Sequence, residues 1–173
     1  MIRKLRASDF ETILQIINDG AQAYYGVIPA DCWHEPYMSR TELQREIEDG
    51  VSFWGFEEEG ALCGVMGVQE RGEVTLIRHA YVRSGKRHRG IGSRLLRFLE
   101  SRTEKPILIG TWADAAWAIE FYKKNGYRLL SEEERGRLLE KYWQIPERQA
   151  LRSVVLANEK WVESQKQQGM ADR

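Results

Sequence analysis

The chain has 173 residues, 42% of them hydrophobic and 30% charged, with 26 basic residues balanced by 26 acidic ones. That length suits one domain with a substantial core and is short for two. A formal net charge of zero provides no global field to draw nucleic acid or an anionic membrane. Cys32 and Cys63 are too few for a disulfide framework or a zinc site. No apolar run approaches the ~18 residues of a membrane span, and residues 1–6 lack a signal-peptide core. The expected setting is the cytoplasm, with no metal.

In chain order, residues 2–5 read as a short strand. Ser8-Asp9-Phe10-Glu11 has the spacing of a capping box, and the helix it would open carries Ile13, Ile16, Ile17 and Ala21 on one face. Residues 24–38 break the pattern, because Tyr24, Tyr25, Trp33 and Tyr37 crowd a stretch in which Pro29 and Pro36 argue against a regular helix. Ser39-Arg40-Thr41-Glu42 is a second capping box, and Gly50 stops the helix it opens. Strands at 51–57, 62–69 and 74–82, joined by turns at 58–60 and 71–72, form an antiparallel meander. Gly55, Gly64 and Gly67 inside them predict bulges or close backbone approach.

A helix from 91 to about 102 precedes a buried strand at 106–112. A second helix, at 114–125, has Gly126 at its C′ position, and a strand begins at 127–130. Residues 131–147 read as a helical insertion, opened by Ser131 with Glu132, Glu133 and Glu134 in its first turn. Residues 148–157 read as the last strand and 158–173 as a polar, helix-compatible tail. The order β-α-α-β-β-β-α-β-α-β-(helical insert)-β predicts a mixed α/β single domain over 1–157.

The chemistry concentrates in residues 81–96. Between Arg78 and Arg97 there is no acid, while Arg83, Lys86, Arg87, Arg89 and Arg94 all lie there. A strand ending at Val82 runs into a basic turn with Gly90 and Gly92, which opens an amphipathic helix carrying Ile91, Leu95 and Leu99. Backbone N–H groups at the helix start, the positive end of its dipole and the basic side chains make an anion site suited to a pyrophosphate. A Walker-type loop would need Lys-Ser/Thr after Gly90, where Ile91-Gly92 stands. A dinucleotide fingerprint would need a small residue where Leu95 stands.

What remains, Arg87-x-x-Gly90-x-Gly92, resembles the acetyl-CoA-binding motif of the GNAT superfamily of N-acetyltransferases. Ala118-Ile119-Glu120-Phe121-Tyr122-Lys123-Lys124-Asn125-Gly126-Tyr127 is similar to that family's A-x-x-F-Y-x-x-x-G-F/Y segment. The resemblance covers about residues 1–130 and again 148–157. It implies a mostly antiparallel central sheet of about six to seven strands flanked by helices. It also implies acetyl transfer from acetyl-CoA to a primary amine, by direct attack in a ternary complex.

By the same resemblance, acetyl-CoA would lie where strand 74–82 splays from strand 106–112. A backbone N–H near Tyr81, Val82 or Arg83 would meet the thioester oxygen. The N–H groups from Arg87, His88, Arg89, Gly90, Ile91, Gly92 and Ser93 would hold the pyrophosphate. Tyr122 would be the general acid, its alternative being a core aromatic. No carboxylate matches the glutamate that some members of the family carry on this strand, since Leu76 occupies that place; His79 is a candidate base beside His34, Asp114 and a water chain. Ala115 stands where the family often has an asparagine.

The region of 24–38 lines the acceptor pocket in the family, so Tyr25, Trp33 and also Trp112 are candidates to hold an amine by cation–π contact. Packing of that loop over the core, or a homodimer contact, is the alternative. The acceptor would be a small molecule or a peptide amine, and a CoA-binding module without turnover is the rival reading. Nucleotide-phosphate chemistry is disfavoured, because neither the Lys-Ser/Thr pair nor metal-binding carboxylates accompany the loop.

Overall fold

A computed structural model describes residues 1–173. Seven strands, β1 (Ile2–Lys4), β2 (Ser52–Glu58), β3 (Ala61–Arg71), β4 (Val74–Val82), β5 (Ile107–Trp112), β6 (Arg128–Leu129) and β7 (Ser153–Ala157), lie in the order β1-β2-β3-β4-β5-β7-β6. The pairs β1–β2, β2–β3, β5–β7 and β6–β7 are antiparallel. Seven α-helices accompany them: α1 (Phe10–Ala21), α2 (Arg40–Glu48), α3 (Ile91–Glu100), α4 (Ala116–Lys124), α5 (Glu132–Tyr142), α6 (Glu147–Leu151) and α7 (Glu159–Ala171). No helix is long and apolar enough to cross a membrane. The predicted mixed α/β order is found, with α6 and α7 added to it.

Contacts group the chain into two compact units, residues 1–70 with 77–102 and residues 71–76 with 103–173, so β4 contributes to both. In the first unit, alternation along β2 sorts side chains to the two faces of the sheet. Phe53 joins Ile13, Ile16, Ile17, Leu43 and Val65 in a core beneath α1 and α2. Trp54 points the other way and meets Phe98 of α3 at 5.1 Å between ring centroids, with the Arg102 guanidinium 4.7 Å above its ring. The glycine expectation holds as close approach. A Cβ at Gly67 would stand 2.7 Å from the Arg78 carbonyl oxygen, and one at Gly55 2.7 Å from Leu62. The one irregularity in the β2–β3 register falls at Phe56/Glu57.

The first cap differs from expectation. Ser8 lies inside a short 3-10 turn (Ala7–Asp9), and the helix proper begins at Phe10. Asp9 is the organising residue: its carboxylate accepts the Arg6 N–H at 2.8 Å and both guanidinium nitrogens of Arg3 at 3.0 and 3.1 Å. Glu11, freed from capping, pairs with Arg40. These contacts hold the Asp9 carboxyl below its ordinary range, with the Arg3 hydrogen bond the main cause. Its contribution to stability is therefore present above the unfolded value of ~3.9 and lost as pH falls through the lower folded value. Acid unfolding followed by circular dichroism should show that limb in the wild type and a flatter one in Asp9→Asn.

In the second unit, α5 is capped as predicted, Ser131 Oγ accepting the Glu134 N–H at 3.2 Å. The insertion forms part of a core. Leu138, Leu139, Tyr142 and Trp143 pack with Val74, Leu76, Leu108 and Val155, and Trp143 lies over Gly110 of β5. One expectation is corrected here and another made specific. The last strand begins at Ser153, because residues 147–151 (Glu-Arg-Gln-Ala-Leu) are strong helix formers and coil into α6; β-branched residues start only at Val154. The polar tail is the helix α7, capped by Asn158, whose side-chain oxygen also accepts the Ile107 N–H at 3.0 Å. Buried Trp161 fastens α7 to the same core.

Candidate active site

β4 hands the chain to the basic turn through backbone bonds that fix its start. The Arg83 N–H donates to the Cys63 carbonyl at 2.8 Å, and its side-chain Nε donates to the Leu62 carbonyl at 2.8 Å. That N–H is committed within the sheet, which takes Arg83 out of the expected oxyanion donors. The turn then passes through two left-handed residues, His88 at φ +64 and Gly90 at φ +79, before α3 begins. A left-handed N-cap without a side chain leaves α3 with no side-chain cap, and its first turn holds no acid. The leading N–H groups therefore face outward with the positive end of the dipole behind them. Buried Ile91, Leu95, Leu96 and Leu99 anchor α3 from below, so the cradle stands on a fixed helix.

The basic side chains around it are less available than their density suggests. Arg89 donates to Glu58 at 2.9 Å and Lys86 lies 3.6 Å from the same carboxylate, which Arg89 chiefly holds below its ordinary range. Arg87 donates to the Gly20 carbonyl at 3.0 Å. The Arg94 guanidinium lies 4.6 Å over the Phe56 ring. Arg78 is turned away altogether, onto Glu46 and Gln69. An anion at this turn would depend on main chain first and on charge second. No group of three or more His, Cys, Asp or Glu side chains is placed to hold a metal ion.

The end of α1 is tied to this turn. Asp19 accepts the Ser84 N–H at 2.7 Å and its hydroxyl at 3.1 Å, while Gly20 lies against the Tyr81 ring. From Tyr81 an aromatic chain runs into the segment after α1: Tyr81–Tyr24 at 6.2 Å, Tyr24–Tyr37 at 5.5 Å, Tyr37–Trp33 at 5.8 Å and Trp33–Tyr25 at 5.4 Å. Tyr25 ends it in solvent, 69% exposed. The segment is held at its far end by Asn18, which exchanges two hydrogen bonds with the Met38 backbone. A Cβ at Gly20 would stand 2.7 Å from Tyr81 Cδ1 and 2.9 Å from its Cβ. Gly20→Ala should therefore lower stability by about 1–3 kcal/mol in a denaturant melt, through displacement of Tyr81.

The model of the acetyltransferase (GNAT) domain family matches residues 49–129, a span that holds the turn, α3 and the Tyr122 segment. Over those residues the chain is similar to the GNAT acetyltransferase domain. Its fold is shared by PaiA N-acetyltransferase from Thermoplasma acidophilum, crystallised with coenzyme A, at TM-score 0.69 and 19% identity, over 91% of this chain and 97% of that one. A GNAT-family acetyltransferase from Staphylococcus aureus Mu50 matches at TM-score 0.67 and 18% identity, over 91% and 97%. The ribosomal-protein-S18-alanine N-acetyltransferase of Escherichia coli matches at 0.64 and 14%, over 91% and 92%. No curated protein matches the sequence significantly.

The other motif within the matched span lies in the second unit. Tyr122 is buried on α4, and its place is fixed by the way that helix ends. Gly126, at φ +91, lets the Tyr127 N–H reach the Tyr122 carbonyl at 3.0 Å and the Gly126 N–H reach Lys123 at 3.1 Å. This is a Schellman closure, completed by the Tyr122 and Tyr127 rings at 6.1 Å. The helix starts at Ala116, with buried Ala115 as its uncapped N-cap; Asp114 is taken by Arg152 at 2.8 Å. Trp112 is 6% exposed, opposite Ser153 in the β5–β7 ladder, which leaves it little surface to offer an acceptor.

His79 stands in β4 with φ +52. A left-handed non-glycine residue costs on the order of 1–3 kcal/mol and persists only where its surroundings enforce it. Its Nε2 lies 2.5 Å from Oε2 of Glu46 on α2, an ion-pair approach between two buried atoms, neither of which has an aligned hydrogen-bond partner. Burial would raise the Glu46 carboxyl, but His79 and Arg78 outweigh burial and hold it below its ordinary range. Glu46 escapes a reading by motif. The available signal was an acid three residues from buried Leu43 on the inward side of an amphipathic helix. His34 is exposed in the aromatic segment.

Proposed function

We propose that this chain transfers an acetyl group from acetyl-CoA to the primary amine of a small molecule or peptide, by direct attack in a ternary complex. The observation that carries the reading is the uncapped, acid-free start of α3 behind left-handed His88 and Gly90, within the span matched to the acetyltransferase family. A pyrophosphate fits such a cradle, because it needs several convergent N–H donors and positive potential without a bulky side chain in the way. The main chain from Arg87 to Ser93 would hold it. Bound acetyl-CoA would supply an acyl carbon activated as a thioester.

In this reading Tyr81 or Val82 offers a main-chain donor where negative charge develops on the thioester oxygen. Tyr122 gives the departing sulfur its proton. The acceptor rests on the aromatic segment, with Trp33 and Tyr25 at its outer end presenting π faces to a cationic amine. Such a surface suits a small amine better than a long chain. We place the reaction in the cytoplasm, where free Cys32 and Cys63 would remain reduced.

One observation favours a second reading, a CoA-binding module without turnover. Leu76, where some members of the family carry a glutamate, is fully buried in an apolar core. Release of CoA thiol, measured with acetyl-CoA against amino acids, polyamines, aminoglycosides and short peptides, separates the two. Turnover on any amine supports the transferase. Tight acetyl-CoA binding with no turnover on all of them supports the module.

A further inference from the structure

We propose that Glu46 positions His79 to act as the base that draws the proton from the attacking amine, an assignment that rests on the acetyl-transfer reading above. The geometry is a carboxylate–imidazole pair assembled from two elements, α2 and β4. An imidazole whose Nε2–H is given to a carboxylate keeps its lone pair on Nδ1, and that nitrogen can take a proton. A buried carboxylate fixes the tautomer, turns the ring and stabilises the imidazolium that forms.

Every group against the ring fits that task. The Phe53 ring of β2 stacks on the imidazole, centroids 6.3 Å apart and planes 25° from parallel, so it cannot turn freely. Oε1 of Glu46, the oxygen not facing His79, accepts from Arg78 Nη2 at 2.9 Å. Arg78 shares the carboxylate's charge. Arg78 is held in turn by Gln69 of β3 at 3.1 Å, and Gln69 donates to the Asp49 backbone and carboxylate beyond α2. The charged groups around the ring are thus Glu46, Arg78 and, through Gln69, Asp49. The left-handed backbone at His79 is the feature a purely structural histidine would not need. Two residues on, the same strand reaches Tyr81, where the aromatic chain begins.

The amine's proton passes to His79 Nδ1 as the nitrogen lone pair forms the C–N bond, and the C–S pair leaves with sulfur as the thiolate; the imidazolium then gives its proton to solvent. Glu46 stays ionised throughout.

The test uses the full-length chain with acetyl-CoA and the amine panel above. His79→Asn suits it, because asparagine tolerates a left-handed backbone and has no basic nitrogen. It should lower kcat/KM by about 10²–10⁴-fold with acetyl-CoA affinity unchanged. Glu46→Gln should lower kcat about tenfold or more with acetyl-CoA affinity unchanged. Turnover within about threefold of wild type in His79→Asn, or in Glu46→Gln, overturns the base assignment alone. Absence of turnover by wild type on every amine overturns the transfer reading with it. Nitrogen-15 NMR of the imidazole reads the pair without an acceptor. A neutral Nε2–H tautomer that loses its bias in Glu46→Gln supports the pair, and an Nδ1–H tautomer overturns it.

Discussion

Replacement of Gly90 by valine should weaken acetyl-CoA binding at least about a hundredfold, or ~2.8 kcal/mol. The reason is conformational. Gly90 sits at φ +79, and a Cβ built on it meets no atom within 4 Å; space is therefore available, but a β-branched residue cannot hold that backbone angle. Valine would pull the turn toward negative φ and re-aim the N–H groups that follow it. Gly90→Asn separates this from a side-chain effect, since asparagine is at ease in the left-handed region. It should keep affinity within about tenfold. Isothermal titration with acetyl-CoA checks both variants, and equal affinity in wild type and Gly90→Val would show that the turn does not grip the cofactor.

Tyr122→Phe should lower kcat about tenfold or more while leaving acetyl-CoA affinity nearly unchanged. The substitution removes one oxygen and keeps the ring. The ring contacts with Phe121 and Tyr127, at 5.1 and 6.1 Å, do not need the hydroxyl. Nor do the two backbone bonds that close α4 around Gly126. A melting temperature close to wild type, with kcat reduced, would assign the loss to proton transfer. Unchanged kcat would remove Tyr122 from the chemistry and leave it as a packed aromatic.

Where the chain could be read from sequence, a feature fixed its own structure locally. Gly90 and Gly126 sit at positive φ where a turn and a C′ position were expected, and Ser39 and Ser131 accept the N–H groups three residues on. Apolar alternation and helical periodicity gave the order of elements. Misreadings occurred where two local choices competed. Asp9 out-competed Ser8 because it could serve Arg3 and the Arg6 N–H together. Residues 147–151 preferred helix although residues 154–156 were strand-like.

The remaining features lie in partnerships between residues distant in sequence, which no local pattern encodes. Glu46 meets His79 across two elements. Glu58 answers Arg89 and Lys86 from the preceding hairpin, and Trp161 draws a polar-looking helix into a core. The left-handed Gly90 and the open start of α3 could be read from the glycine spacing; the pairing of the turn's charges could not. Nor could the partner of the candidate base be found without the fold.

The central claim is that main-chain amides from Arg87 to Ser93 hold the diphosphate of coenzyme A. A crystal structure of the chain with coenzyme A tests it most directly. The account predicts diphosphate oxygens about 3 Å from several of those nitrogens, at the start of α3. A diphosphate bound elsewhere, with that turn bare, would contradict it.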